Sequence, residues 1–132
     1  MKAGRYIKAI LSDDATVTAL VGTKIYALKI PQSETQNIYP AIAFTCTNTP
    51  ADRNKTQKAT AFLVTATIAM WANTYTQAED MDQAVFNAFD FEETTAAGVT
   101  VTGCEYTRSE IAQDEDSKFF VCVATYEIWL KR

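Results

Sequence analysis

The stretch ATAFLVTATIAMW (Ala59–Trp71) decides the fold class. Phe62, Val64, Ala66, Ile68 and Met70 fall on one side of a pleat, and Leu63, Thr65, Thr67, Ala69 and Trp71 on the other, which is the period-2 pattern of a long strand. Directly after it the period changes. Asn73 or Thr74 caps a helix that runs to about Phe89, with Ala78, Met81, Ala84, Val85, Ala88 and Phe89 as its apolar stripe and Glu79, Asp80, Asp82 and Gln83 largely outside it. A strand followed at once by an amphipathic helix sets the pattern of a sheet with helices laid on it.

Working outward, Pro40 opens a strand over Ala41–Thr47, and the polar stretch Thr49–Gln57 reads as a long hairpin tip leading into Ala59. Upstream, Tyr6, Ile7, Ile10 and Leu11 have helical spacing. Ser12 is placed to cap a second helical turn bearing Val17, Leu20 and Val21, with Gly22 as its stop. Lys24–Ile30 is a short extended piece closed by Pro31. Downstream, Val99–Ile111 and Lys118–Leu130 form a second strand pair. In the last strand both faces are fairly apolar, which predicts a strand that is central or covered on two sides. The expected fold is α+β, a mainly antiparallel sheet of four or five strands with helices packed on one face. Phe62, Val64, Ile68, Val85, Phe89, Val121 and Val123 are expected in the core between them. Nineteen threonines, many on strand positions, suit a half-exposed pleated surface. The Thr-rich side of Ala59–Trp71 is either a wet sheet face or a face that meets another subunit.

The chain has 132 residues, of which 48% are hydrophobic, enough for one domain spanning 1–132 with a core of its own. No residue run approaches the length of a membrane span, and the N-terminus lacks the apolar stretch of a signal peptide. Histidine is absent. With it go the commonest general base, the commonest metal ligand and every Ser-His or Cys-His nucleophile pair. Cys46, Cys104 and Cys122 are widely separated and read as small buried hydrophobes, neither a zinc site nor a disulfide framework. The acidic run Asp114–Asp116 lacks the spacing of a calcium loop, and no phosphate-cradling glycine loop occurs. The expectation is no catalytic residue, no cofactor and no metal: not an enzyme.

The formal charge of −4 disfavours a general nucleic-acid binder. Its distribution is uneven. Residues 1–30 hold Lys2, Arg5, Lys8, Lys24 and Lys29 against Asp13 and Asp14, a balance of +3, whereas residues 73–97 hold six acids and no base.

The order of turn and packing positions resembles a known family. Leu11–Gln32 (LSDDATVTALVGTKIYALKIPQ) followed by Tyr39–Phe44 (YPAIAF) is similar to the small tail-completion, or tail-terminator, proteins of long-tailed bacteriophages. Val17, Leu20, Val21, Gly22, Ile25, Tyr26, Pro31, Tyr39 and Pro40 occupy the matching places, and the later long strand, the Ala78–Val85 helix and the aromatic-rich C-terminal strand follow the same course. The resemblance implies a virion structural protein that closes the tail tube and joins it to the head. It would be assembled in the host cytoplasm as a homo-oligomeric ring, commonly a hexamer, through which DNA passes without specific binding. The implied partners are the tail tube protein and head–tail connector proteins, with no membrane involved. Another neck or minor tail component is the alternative, and a small cytosolic ligand-binding domain the alternative from a different class. For a head-to-tail ring the subunit-interface candidates are Arg5, Lys8, Lys24 and Lys29 against Glu79, Asp80 and Asp82. The loop candidates for reaching a different protein are Asp52, Arg53, Asn54 and Lys55.

Overall fold

Three helices lie on one face of a six-stranded sheet whose order is β1-β2-β3-β6-β5-β4. The structure is a computed structural model. It describes residues 3–27, 40–53, 59–89, 94–96, 98–113 and 119–131, and within these the side chains of 48–53, 59–62, 94, 96 and 131 fall outside the description. The elements in chain order are α1 (Ala3–Asp13), α2 (Ala15–Val21), β1 (Ile25–Ala27), β2 (Ala41–Arg53), β3 (Ala59–Ala72), α3 (Tyr75–Ala88), β4 (Thr94–Ala96), β5 (Val99–Gln113) and β6 (Phe120–Lys131). All neighbouring strands are antiparallel except β1 and β2.

The β3–β6 ladder sets the two faces. Val64 pairs with Ile128, Ala66 with Tyr126, Ile68 with Ala124 and Met70 with Cys122, and all eight are buried. The same rungs continue to Ile42 and Phe44 on β2 and to Val101 and Cys104 on β5. Against this face α1 buries Ala3, Tyr6, Ile7 and Leu11, and α3 buries Ala78, Met81, Ala84 and Val85. Phe89, just past α3, stacks on Tyr126 with ring centroids 4.6 Å apart.

Local chemistry explains the helix ends. The Asp14 carboxylate accepts from the Thr16 and Val17 N–H groups at 2.9 and 3.0 Å, so Asp14 rather than Ser12 caps α2. Ser12 lies inside α1, which runs one residue beyond it. Gly22, at φ 63°, ends α2 in a conformation that a side chain would strain. At α3 the Thr74 hydroxyl accepts from Gln77 N–H at 3.1 Å while the Gln77 amide oxygen accepts from Asn73 N–H at 2.8 Å, a reciprocal cap of the capping-box kind.

Four expectations change. The sheet has six strands rather than four or five, because the three-residue β4 adds an edge to β5 over Val99–Val101. β2 continues through Thr49 and Pro50 to Arg53, so the hairpin tip is shorter than its polar composition suggests. The α2 cap moves to Asp14, as above. Finally, Val121 and Val123 do not join the core. Tyr126 and Cys122 take the buried side of β6, and strand alternation then turns Val121 and Val123 to the opposite face, where Val123 is 37% exposed. β6 is central in strand order, but among the described residues only one of its faces is covered by helices. Val64, Ile68, Val85 and Phe89 are buried as expected. The side chain of Phe62 lies outside the described residues.

The difference between the two faces is testable. Phe89→Ala should cost about 3–5 kcal/mol and lower the urea midpoint clearly, whereas Val123→Ala should leave the midpoint nearly unchanged.

Candidate assembly surfaces

The uncovered sheet face is a Thr- and Ala-rich field. Across β2, β3 and β6 it presents Thr45, Thr67 and Thr125 on one rung and Ala43, Ala69 and Val123 on the next. Tyr26 and Trp71 pack beside Ala41 and Ala43 near one end. Glu105 and Glu127 stand directly opposite each other on β5 and β6. Two carboxylates on one rung repel, and a stabilising sheet face would not place them so. The ion pair on this face, Arg108 to Glu110 at 2.9 Å, is about two-thirds exposed on both sides and contributes little to stability.

The helix layer holds the segregated charge. Arg5 and Lys8 are exposed on α1. Lys24 is half-buried at the start of β1, where its carbonyl accepts from Ile42 N–H at 2.9 Å, so it belongs to the β1–β2 flank. Glu79 and Asp80 are exposed on α3, which packs on β3, β6 and β5 and so belongs to the opposite flank. Lys24 and the Glu79–Asp80 pair therefore sit toward different sides, whereas α1, which carries Arg5 and Lys8, touches β1 and β2 as well as β4 and β5 and spans the sheet. Lys29, Asn54 and Lys55 lie outside the described residues. Asp52 and Arg53 form the end of β2, paired with Ala61 and Ala59, with register shifts on either side of Asp52.

Asp82 differs from its neighbours. It is half-buried and turned toward the sheet, where Ser109 on β5 donates to its Oδ2 at 3.2 Å, and the Ser109 hydroxyl in turn lies 2.6 Å from the Tyr106 phenol. This link ties α3 to β5, so Asp82 is committed within the chain in a way that Glu79 and Asp80 are not. Ser109 and Tyr106 had no signal in the sequence, since the contact joins residues 27 apart. Phe86, 37% exposed, meets Tyr106 edge-on at 5.5 Å and forms an aromatic corner beside the acidic face of α3. Its departure from the apolar stripe of α3 was the one available hint.

The hollow between α2 and α3 is lined by Val17, Leu20, Met81, Val85 and other apolar side chains. Among the described residues no group of three or more Cys, Asp or Glu is placed to hold a metal. All three cysteines are free thiols. Burial pushes the thiols of Cys104 and Cys122 up to about 12, the Asp82 carboxylate adding to the effect at Cys122, and burial also raises Cys46. A thiol held protonated is a poor nucleophile. No helix among the described residues is long and apolar enough to cross a membrane.

A family model described as "Tail completion protein gp17" matches residues 5–131. The chain belongs to that family. It is a structural protein of the phage tail, and its place is the virion. Among solved structures, a chain of the "Virion of native gene transfer agent (GTA) particle" shares the fold, with a TM-score of 0.75, 18% identity, and coverage of 98% of this chain and 97% of that one. No curated protein sequence matches the chain.

The thiol environments give a direct check. Iodoacetamide at mildly alkaline pH should modify Cys46, half-buried on β2, well before Cys104 or Cys122, and all three should react in urea. Mass spectrometry of labelled peptides reads the order. Equal labelling of all three in the folded protein would contradict the burial described here.

Proposed function

We propose that this tail completion protein closes the head-proximal end of the tail tube and joins it to the head. Its 132 residues act as a single domain assembled into a closed ring, a hexamer, with a central passage for DNA. The observation that supports this most is the separation of charge between flanks: Lys24 on the β1–β2 side, Glu79 and Asp80 on the α3–β5 side. A cyclic ring needs two unlike, complementary surfaces on one chain, because each copy meets its neighbour head-to-tail. Arg5 and Lys8 are exposed on α1, which spans from β1 and β2 to β4 and β5, and so stand between the two flanks.

The uncovered sheet face suits the wall of the passage. Threonine hydroxyls keep it wet, the opposed Glu105 and Glu127 repel phosphate, and its Arg108 is paired with Glu110. DNA can then slide without adhering. The protein works by shape and assembly and not by catalysis. The end of β2 with the tip beyond it, Asp52, Arg53, Asn54 and Lys55, reaches a head–tail connector protein rather than a neighbouring copy, since it offers charges of both signs at the end of a long hairpin.

Two measurements test these assignments. Reversing Glu79 and Asp80 to Lys should weaken self-association several-fold in sedimentation experiments and reduce its dependence on salt. Unchanged assembly would remove the acidic face of α3 from the interface. Neutralising Asp52, Arg53 and Lys55 to Asn, Gln and Gln preserves the strand. It should leave self-association intact but yield tails that fail to join heads. Normal titres of infectious particles from that variant would refute the connector role.

A further inference from the structure

Among the described residues, the short edge strands cover little of the sheet's two borders. β1 covers only Ile42–Phe44 of β2, and β4 covers only Val99–Val101 of β5. Among the described residues nothing pairs with the outer side of β2 from Thr45 onward or of β5 beyond Val101. An open strand border is a template for another strand. We propose that neighbouring copies join by strand pairing, the outer edge of Thr45–Pro50 on one copy forming an antiparallel ladder with the outer edge of Arg108–Gln113 on the next. This deepens the ring reading above and rests on it.

Direction supports the pairing. β2, β3, β6 and β5 alternate in sense, so β2 and β5 run oppositely within one chain. Rotation about an axis along the strands keeps each strand's sense, so β2 of one copy meets β5 of the next antiparallel, the ladder this sheet already uses. Both segments are regular. Pro50 precedes the register shifts of β2, and Arg108 follows the shift of β5 between Tyr106 and Arg108.

Backbone polarity supports it too. Ile42 N–H donates outward to Lys24 at 2.9 Å, so the alternate residues Phe44, Cys46, Asn48 and Pro50 turn their backbone groups away from β3. Pro50, which has no N–H, therefore sits where its missing donor costs the β2–β3 ladder nothing. Phe44 is covered by β1, which leaves Cys46 and Asn48 as the outward donors on this segment.

The geometry of closure agrees. Thr45 and Arg108 share a rung through Thr67 and Thr125, so the two open segments occupy opposite halves of the sheet's height. Bringing them level requires a stagger of about five residues, or ~17 Å, per copy at the usual rise of a strand. Four long strands at ~4.8 Å spacing make each copy ~19 Å wide. That combination tilts the strands by about 40° from the ring axis, within the roughly 35–45° of closed barrels. The tilt follows from one chain and is independent of the number of copies. The charged flanks meet at the same junction, Lys24 beside β2 facing the α3–β5 side of the neighbour.

The test uses strand parity in the full chain. Asn48→Pro removes an outward donor without touching the β2–β3 ladder, whereas Thr47→Pro removes an inward one. Asn48→Pro should retain cooperative unfolding yet lose self-association by at least about tenfold in sedimentation equilibrium, while Thr47→Pro destabilises the fold. In the unaltered protein, assembly should slow amide exchange at Cys46, Asn48 and within Arg108–Gln113 by at least about tenfold. This second readout decides the matter should Asn48→Pro fail to fold. If Asn48→Pro assembles like the parent, or exchange at those amides is the same in monomer and assembly, strand pairing is wrong and the ring reading stands. If the unaltered chain stays monomeric at every concentration and on isolated tails, the ring reading fails and takes the pairing with it.

Discussion

The β3–β6 ladder is the constraint on which the rest of the molecule depends. Its rungs place Val64, Ala66, Ile68 and Met70 with Cys122, Ala124, Tyr126 and Ile128 on one side, and every helix docks on that side. A slip of one residue would exchange this set for Thr65, Thr67, Ala69, Trp71, Val121, Val123, Thr125 and Glu127, putting two threonine rungs and a carboxylate against the helices. Burying these side chains supplies the main favourable term, at roughly 1.5–3 kcal/mol for each large one. Capping at Asp14 and Thr74 is worth about 1 kcal/mol at each end and fixes where the helices begin rather than whether they form.

One consequence is a division of labour between the faces. The covered face is mostly apolar: among the described residues no polar or charged residue is fully buried, and the half-buried Asp82 meets Ser109 at its β5 side. The uncovered face holds threonines, small residues and two opposed glutamates, a composition that stabilises little by itself. The chain belongs to the tail completion family, and the ring proposed for it would give such a face a neighbour. The separation of Lys24 from Glu79 and Asp80, and the short strands that among the described residues cover little of either border, fit the unlike, complementary sides that the proposed ring requires.

The acidic helix shows how one element serves two ends. Asp82 faces inward to Ser109, and the link to Tyr106 continues to the aromatic corner at Phe86. Glu79 and Asp80, one turn away, face solvent. Sequence position alone treated the three acids alike. Their helical phase against β5 separates a group that holds the fold from groups open to a partner.

Much of the fold was legible in the residues themselves. The period-2 run of Ala59–Trp71, the stripe of α3, the stop at Gly22 and the α+β class follow from local periodicity and turn chemistry, which act over a few residues. The order of packing positions from Leu11 to Phe44 likewise pointed to the tail-completion family. What stayed hidden depends on partners distant in the chain. That β2 runs on through a polar, proline-containing stretch to Arg53 is decided by the facing strand β3. The tiny β4 exists because β5 offers it an edge. Val121 and Val123 are as hydrophobic as Cys122 and Ala124, and only the register against β3 and the helices says which set is buried. The charged candidates for assembly were visible in the residues, but which side of the molecule Lys24, Glu79 and Asp80 occupy is a property of the sheet order. Periodicity is written in the sequence because it arises from bonded neighbours. Facing, register and edge are not, because they arise from contacts that exist only once the chain has folded.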